Sequence, residues 1–241
     1  MNPFFSFFHS ASEPLALTLP AGKKRGKRYE GADVINLPVA EPITVSFEQV
    51  LTKRESQPDF DSSEIDLQGL STLLYWSVGQ LGERDNLQNP GTKKPHRTHP
   101  SGGGLFPLEI YIAVGLMNDL SCGWYHYRPD LHVLETVRLI SIEAMTTSKR
   151  RFAPEQLNAA PIHLCISMMA ERVVPVYRTL AYQNVLLEAG HIGQNISLIA
   201  SALDVACAPI GLAETETSTQ LQLDQYNETV IYKFALGRIN T

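Results

Sequence analysis

Across residues 178–203 the apolar side chains of Leu186, Leu187, Ile192, Ile196, Ile199 and Leu203 recur at helical spacing on one broad stripe. A stripe this wide needs close neighbours on more than one side. Ala189, Gly190 and Gly193 lie among those residues and let other elements approach. The segment reads as a long helix at the centre of a core, and it restricts the chain to folds that wrap one. With 241 residues, there is enough chain around it to bury such a core.

The remaining pattern supplies strands. Residues 109–114, 161–168 and 228–236 are rich in β-branched and aromatic residues, and residues 205–213 are strand-like. Residues 124–127 and 132–137 read as a hairpin around 128–131. A second helix is expected over 65–78, where Ile65, Leu67, Leu70, Leu73, Leu74 and Val78 recur at helical spacing. Residues 83–96 are polar and broken by Pro90, Gly91 and Pro95, so they read as a loop. Helices and strands follow no regular βαβ rhythm, which places the chain in the α+β class. Residues 1–45 read as an irregular N-terminal arm with a solvated basic patch (Lys23, Lys24, Arg25, Lys27, Arg28), ahead of one domain over 46–241.

Bulk chemistry excludes several roles. A net charge of −5 gives no electrostatic reason to bind nucleic acid or an anionic membrane. No apolar run approaches the roughly 20 residues that span a bilayer. The apolar opening, residues 1–8, lacks the basic region of a signal peptide. Three scattered cysteines, Cys122, Cys165 and Cys207, read as reduced thiols in a cytoplasmic protein.

The strongest local signal is Pro100-Ser101-Gly102-Gly103-Gly104-Leu105-Phe106-Pro107-Leu108-Glu109. Three glycines remove every Cβ, so a flat ligand can lie on bare backbone and take hydrogen bonds from N–H groups. Ser101 adds a hydroxyl, while Pro100 and Pro107 hold the ends. A flexible turn is the competing reading of the same residues. Neither a dinucleotide fingerprint nor a P-loop is present.

This segment, with Thr98 and His99 before it, resembles the R-T-x-P-S-G-G-G-L-Y-P-L-E-x-Y stretch of the SagB-type dehydrogenases of the nitroreductase superfamily. Leu186-Leu187-Glu188-Ala189-Gly190-His191 with Gln194-Asn195 is similar to their L-L-E-A-G-H-x-x-Q-N helix. Ala208-Pro209-Ile210-Gly211-Leu212 and Arg28-Tyr29-Glu30-Gly31-Ala32 with Leu37-Pro38 match two further segments in order. The resemblance implies a mixed central sheet flanked by helices, with FMN bound at a homodimer interface. Gly102, Gly103 and Gly104 would meet the ring edge, and Ile210 and Gly211 its other side. Arg54 and Ser56 would hold the phosphate, with Arg238 near the end of the chain.

Two departures bear on activity. Pro58 stands where the family often carries a cation near the flavin pyrimidine, and its loss would favour a lower flavin potential unless Arg97 or another donor substitutes. Val176 replaces the lysine of a Lys-Tyr pair found in azoline-oxidising members, while Tyr177 keeps the tyrosine. Tyr177 is therefore the leading proton-transfer candidate. His191 is the second, with Glu188 three residues earlier positioned to orient it, although an interior or interface histidine fits as well. His96, His99, His126 and His132 lack supporting ligands at metal-binding spacing, so no metal is expected. Cys207 reads as a small core residue. Three functions stay open: dehydrogenation of a peptide-derived substrate such as an azoline, NAD(P)H-dependent reduction of small nitro or quinone compounds, and a scaffolding role in a biosynthetic complex.

Overall fold

The computed structural model describes residues 26–61, 65–86, 90–211 and 215–239. In chain order the elements are β1 (Val34–Asn36), α1 (Phe47–Lys53), β2 (Phe60–Asp61), α2 (Leu67–Val78), β3 (Gln80–Asp85), β4 (Lys93–Arg97), β5 (Leu108–Val114), β6 (Gly123–Arg128) and β7 (Val133–Leu139). Then follow α3 (Ile142–Phe152), β8 (Ile162–Met169), α4 (Ala170–Tyr177), α5 (Ala181–Ala202), β9 (Val205–Ile210), α6 (Thr215–Gln220) and β10 (Glu228–Ile239). Eight strands form one sheet in the order β1-β7-β6-β5-β8-β10-β2, with β9 also paired to β10. Every ladder of this sheet among the described residues is antiparallel, a more uniform arrangement than the expected mixed sheet.

Strand β5 shows why the sheet is buried on both faces. Side chains alternate along a strand with period two. Ile110 and Ile112 accordingly join a cluster with Leu70, Leu73 and Leu74 of α2 and Val185, Ile192 and Ile196 of α5. Tyr111 and Ala113 point the other way, into a cluster with Trp124, Met145 and Leu221. Fully burying an aliphatic side chain of this size contributes about 1.5–3 kcal/mol. The result is a three-layer α+β fold with helices on both faces.

Helix α5 lies where the apolar stripe placed it, with Ile192 and Ile196 buried but Leu186 and Leu187 exposed. It begins at Ala181, after a single 3-10 turn over Arg178–Leu180 in which Arg178 has φ +48°. Gly193 is required there: a Cβ at this position would fall 2.7 Å from Tyr232 and 3.0 Å from Phe234 of β10. Gly190 faces open space, so close approach is not its role.

Two expectations are corrected. The polar stretch 83–96 is not a loop throughout, because β3 and β4 pair as an antiparallel ribbon with Gln80 opposite Arg97 and Gly82 opposite His96. Most of β3 is exposed, so no buried–exposed alternation betrays it, and Pro95 is tolerated in a two-stranded ribbon. The N-terminal segment is not irregular throughout either: β1 forms the sheet edge, with Val34 opposite Glu135. Lys23, Lys24 and Arg25 lie outside the described residues. Lys27 is withdrawn from solvent and pairs with buried Glu228 at 2.5 Å.

His163 on β8 is wholly buried, 3.2 Å from the Leu157 carbonyl. Burial first, then the positive charge of Lys149, pushes its pKa down to about 3. The unfolded chain protonates this imidazole near pH 6.5 while the native state does not, so stability falls as pH drops through that window. The loss is about 2 kcal/mol by pH 5. In His163→Gln, the drop in melting temperature between pH 7 and pH 5 should shrink by a corresponding amount. An equal drop in variant and wild type would remove His163 from this role.

Candidate functional site

Residues Gly102–Gly104 form one turn of 3-10 helix, with Gly103 at φ +62° and Gly104 at φ +69°. Side chains other than glycine rarely adopt these angles, so the sequence choice follows from the turn. The chain leaves the turn through Phe106, itself at φ +47° and buried, and enters β5. The guanidinium of Arg97 lies over the Phe106 ring at 4.5 Å, and burial lowers its pKa.

Tyr177 closes the turn from above. A Cβ built on Gly102 would lie 3.3 Å from the Tyr177 hydroxyl, and one built on Gly103 would lie 3.2 Å from it. The phenol thus occupies the space that the missing side chains leave. Tyr177 is half-buried against the larger core cluster at the end of α4, whereas Val176 beside it is 59% exposed. Tyr177, the proton-transfer candidate of the sequence, thus stands beside Gly102 and Gly103 of the expected ligand cradle.

Ser101 works inward. Its hydroxyl donates to Glu188 Oε2 at 2.6 Å and accepts the Phe106 N–H at 2.9 Å. Any ligand contact from Ser101 falls to its backbone. Glu188 is buried, and its Oε1 lies 3.6 Å from His99 Nε2. Burial holds the His99 pKa below its usual value, against the pull of Glu188. The Glu188 carboxylate is therefore directed at Ser101 and His99, not at His191, which is exposed on α5. Pro100 is exposed at the start of the turn.

The other expected ligands lie along β9 and β10, with Ile210 and Arg238 at opposite ends of the ladder between them. Arg54 caps α1 and is half-buried, and Ser56 next to it is exposed. Gln57 N–H donates to the Cys207 carbonyl at 3.0 Å, which ties this segment to β9. Arg238 is exposed and stands opposite Val205 of β9 and Asp61 of β2 in the ladders. Ile210 is buried in the second core cluster, and Gly211 is exposed with open space around it. Burial pushes the Cys207 thiol up to about 12, in keeping with a core residue. Helix α5 spans the two halves of the candidate site: Glu188 meets the glycine turn, and Ser197, nine residues on and roughly 14 Å along the helix, lines a cavity with Cys207.

Sequence reasoning missed the polar layer that supports the turn. Arg172 of α4 donates to the Phe106 carbonyl at 3.1 Å and pairs with Glu109 at 2.6 Å. The other oxygen of Glu109 lies 2.8 Å from His126, whose second nitrogen is 3.0 Å from Glu135. Burial alone would raise the Glu109 pKa, but the His126 hydrogen bond and the Arg172 charge hold it well below the usual carboxylate range. The same carboxylates outweigh burial at His126 and raise its pKa. Lys27 N–H donates to Glu109 at 3.0 Å, and its ammonium reaches Tyr111 and Glu228. The available signal was the charge placed inside apolar strands at Glu109, His126 and Glu228.

A family model described as the nitroreductase family matches residues 51–238. A protein of Methanocaldococcus jannaschii assigned to the nitroreductases, MJ1384, is 32% identical over 198 residues, covering 80% of this chain and 91% of that one. The microcin B17-processing protein McbC of Escherichia coli is 24% identical over 161 residues, covering 64% of this chain and 58% of its own. In the solved E. coli microcin synthetase McbBCD complex with truncated pro-MccB17 bound, one chain superposes with a TM-score of 0.67 at 20% identity, covering 97% of this chain and 87% of that one.

Proposed function

The chain belongs to the nitroreductase family, and on that footing we propose that it is an FMN-dependent dehydrogenase oxidising a peptide-derived substrate such as an azoline ring. Members of this family are flavin oxidoreductases, and FMN is their usual cofactor. The observation that carries the reading is the Tyr177 hydroxyl set over the bare backbone of Gly102 and Gly103. The residues expected at both ends are of the kinds that FMN calls for. Arg54 can fork onto a phosphate, Ser56 can donate to it, and Arg238 adds a second cation. Gly104, whose side-chain space Tyr177 does not fill, and Gly211 offer bare backbone to a flat ring.

When bound, FMN supplies the hydride acceptor. The chain supplies the rest. Tyr177 is a group within reach of the turn that can exchange a proton with a substrate seated there, and the Lys94 side chain lies beside Gly104. Arg172 and Glu188 hold the two sides of the turn in place. A substrate drawn from a peptide is supported by the likeness to a microcin-processing protein. Val176, in the place of the family's lysine, favours a second reading, NAD(P)H-dependent reduction of small nitro or quinone compounds, which asks for no base beside Tyr177. Assembly as a homodimer, or with partner subunits, is supported by the exposed apolar residues Val176, Leu180, Leu186 and Leu187 along α4 and α5.

Freshly purified protein should be yellow, with bands near about 370 and 450 nm as for any oxidised flavin. Light scattering should give about twice the 26.7 kDa of one chain. Absence of FMN binding in a titration would defeat the reading at its centre, whereas consumption of NADH with a nitro acceptor and none with a peptide azoline would transfer it to the second.

A further inference from the structure

The glycine turn has no side chains of its own and contains two residues in the left-handed region, so something outside it must define its shape. Helix α5 supplies the grips. Glu188 and Asn195 are seven residues apart, two helical turns, and so lie on one face. Asn195 Nδ2 donates to the carbonyls of Ser77 at 3.1 Å and Thr98 at 3.4 Å. Glu188 accepts the Ser101 hydroxyl at 2.6 Å, and that hydroxyl in turn receives the Phe106 N–H. The helix thus holds the chain just before the turn and, through Ser101, across it.

Glu188 is an expensive residue for that task. It is 3% exposed, and its Oε1 has no hydrogen-bond partner among the described residues. His99 faces it at 3.6 Å, too far for a hydrogen bond, and burial keeps that imidazole's pKa low. A buried carboxyl oxygen without a hydrogen bond is unfavourable for folding, so stability alone does not account for this residue. The purpose on offer is the short bond to Ser101.

We infer that Glu188 is a positioning residue for the reaction proposed above. Acting through Ser101, it holds the glycine turn in the conformation that presents bare backbone beneath the Tyr177 hydroxyl. The inference rests on the turn being the FMN cradle, but its first test needs no cofactor. In Ser101→Ala, which removes the donor without touching the core, amide exchange across residues 101–106 should accelerate roughly tenfold. Glu188→Leu should act in the same way, whereas Glu188→Gln still accepts from Ser101 and should exchange like wild type. FMN affinity, read by quenching of flavin fluorescence, should fall about tenfold in the first two proteins and recover in Glu188→Gln. Should Glu188→Leu fail to fold, Ser101→Ala decides alone. Unchanged exchange in Ser101→Ala, or a Glu188→Gln protein as impaired as Glu188→Leu, would overturn the assignment. A wild-type protein that binds no FMN while Ser101→Ala exchanges faster would instead refute the flavin reading.

Discussion

Turnover of a proton-losing substrate should fall by about 10²–10⁴ in Tyr177→Phe, the range that a positioned acid or base contributes. FMN affinity should stay close to wild type, because the ring that packs on the core cluster is kept and only the hydroxyl over Gly102 and Gly103 is lost. The neighbouring position makes the test sharper. Val176 is exposed on the single chain, so Val176→Lys adds an ammonium without disturbing the core of that chain. A lysine ammonium placed beside a phenol favours the phenolate, the form that accepts a proton. Azoline oxidation should therefore rise in Val176→Lys and disappear again when Tyr177→Phe is added. If Val176→Lys leaves azoline oxidation undetectable with FMN bound, the chain is not a weakened azoline oxidase. A wild-type rate matched by Tyr177→Phe would show that Tyr177 moves no proton.

The second large effect is on stability. Glu109→Leu should lower it by about 3–5 kcal/mol, because the charges on Arg172 and His126 stay buried while the carboxylate between them disappears. For a chain of this size the melting temperature should drop on the order of 10 °C. Glu109→Gln keeps an acceptor but not the charge, and should fall between the two. The linkage has a definite sign. Glu109 has a lowered pKa, so its contribution is present at neutral pH and lost at strongly acidic pH as the carboxyl takes its proton. A calorimetric melt of Glu109→Leu within 2 °C or so of wild type would mean that the polar layer is not coupled to the fold.

Periodicity made the frame legible. The stripe on α5, the alternation and β-branched content of β5, β8 and β10, and the turn between β6 and β7 all carry local patterns. Burial on one or both sides forces those patterns into the sequence. The ribbon of β3 and β4 escaped because solvent faces most of β3, so its residues are not constrained to alternate. β1 escaped because three residues at a sheet edge are too few to show a period. At the site, Gly102–Gly104 and Tyr177 were readable as residue types, and the close contact between them was not. The inward turn of Ser101 and the pairing of Lys27 with Glu228 depend on residues 87 and 201 positions apart, which no local window contains.

Strand β10 follows every other strand in the sequence, yet β2 and β9 join the sheet only through it. On a ribosome, or early in refolding, the β5–β8 half can form its ladders while residues 60–61 and 205–210 have no strand to meet. Such late, long-range closures are slow steps. The segment bearing Arg54 and Ser56 is anchored to β9 at Cys207, and Arg238 is itself part of β10. The anion-binding end proposed for the site thus depends on the pairing of β10. Uptake of an anionic ligand there would report that the sheet has closed, and would trap the chain in that state by mass action.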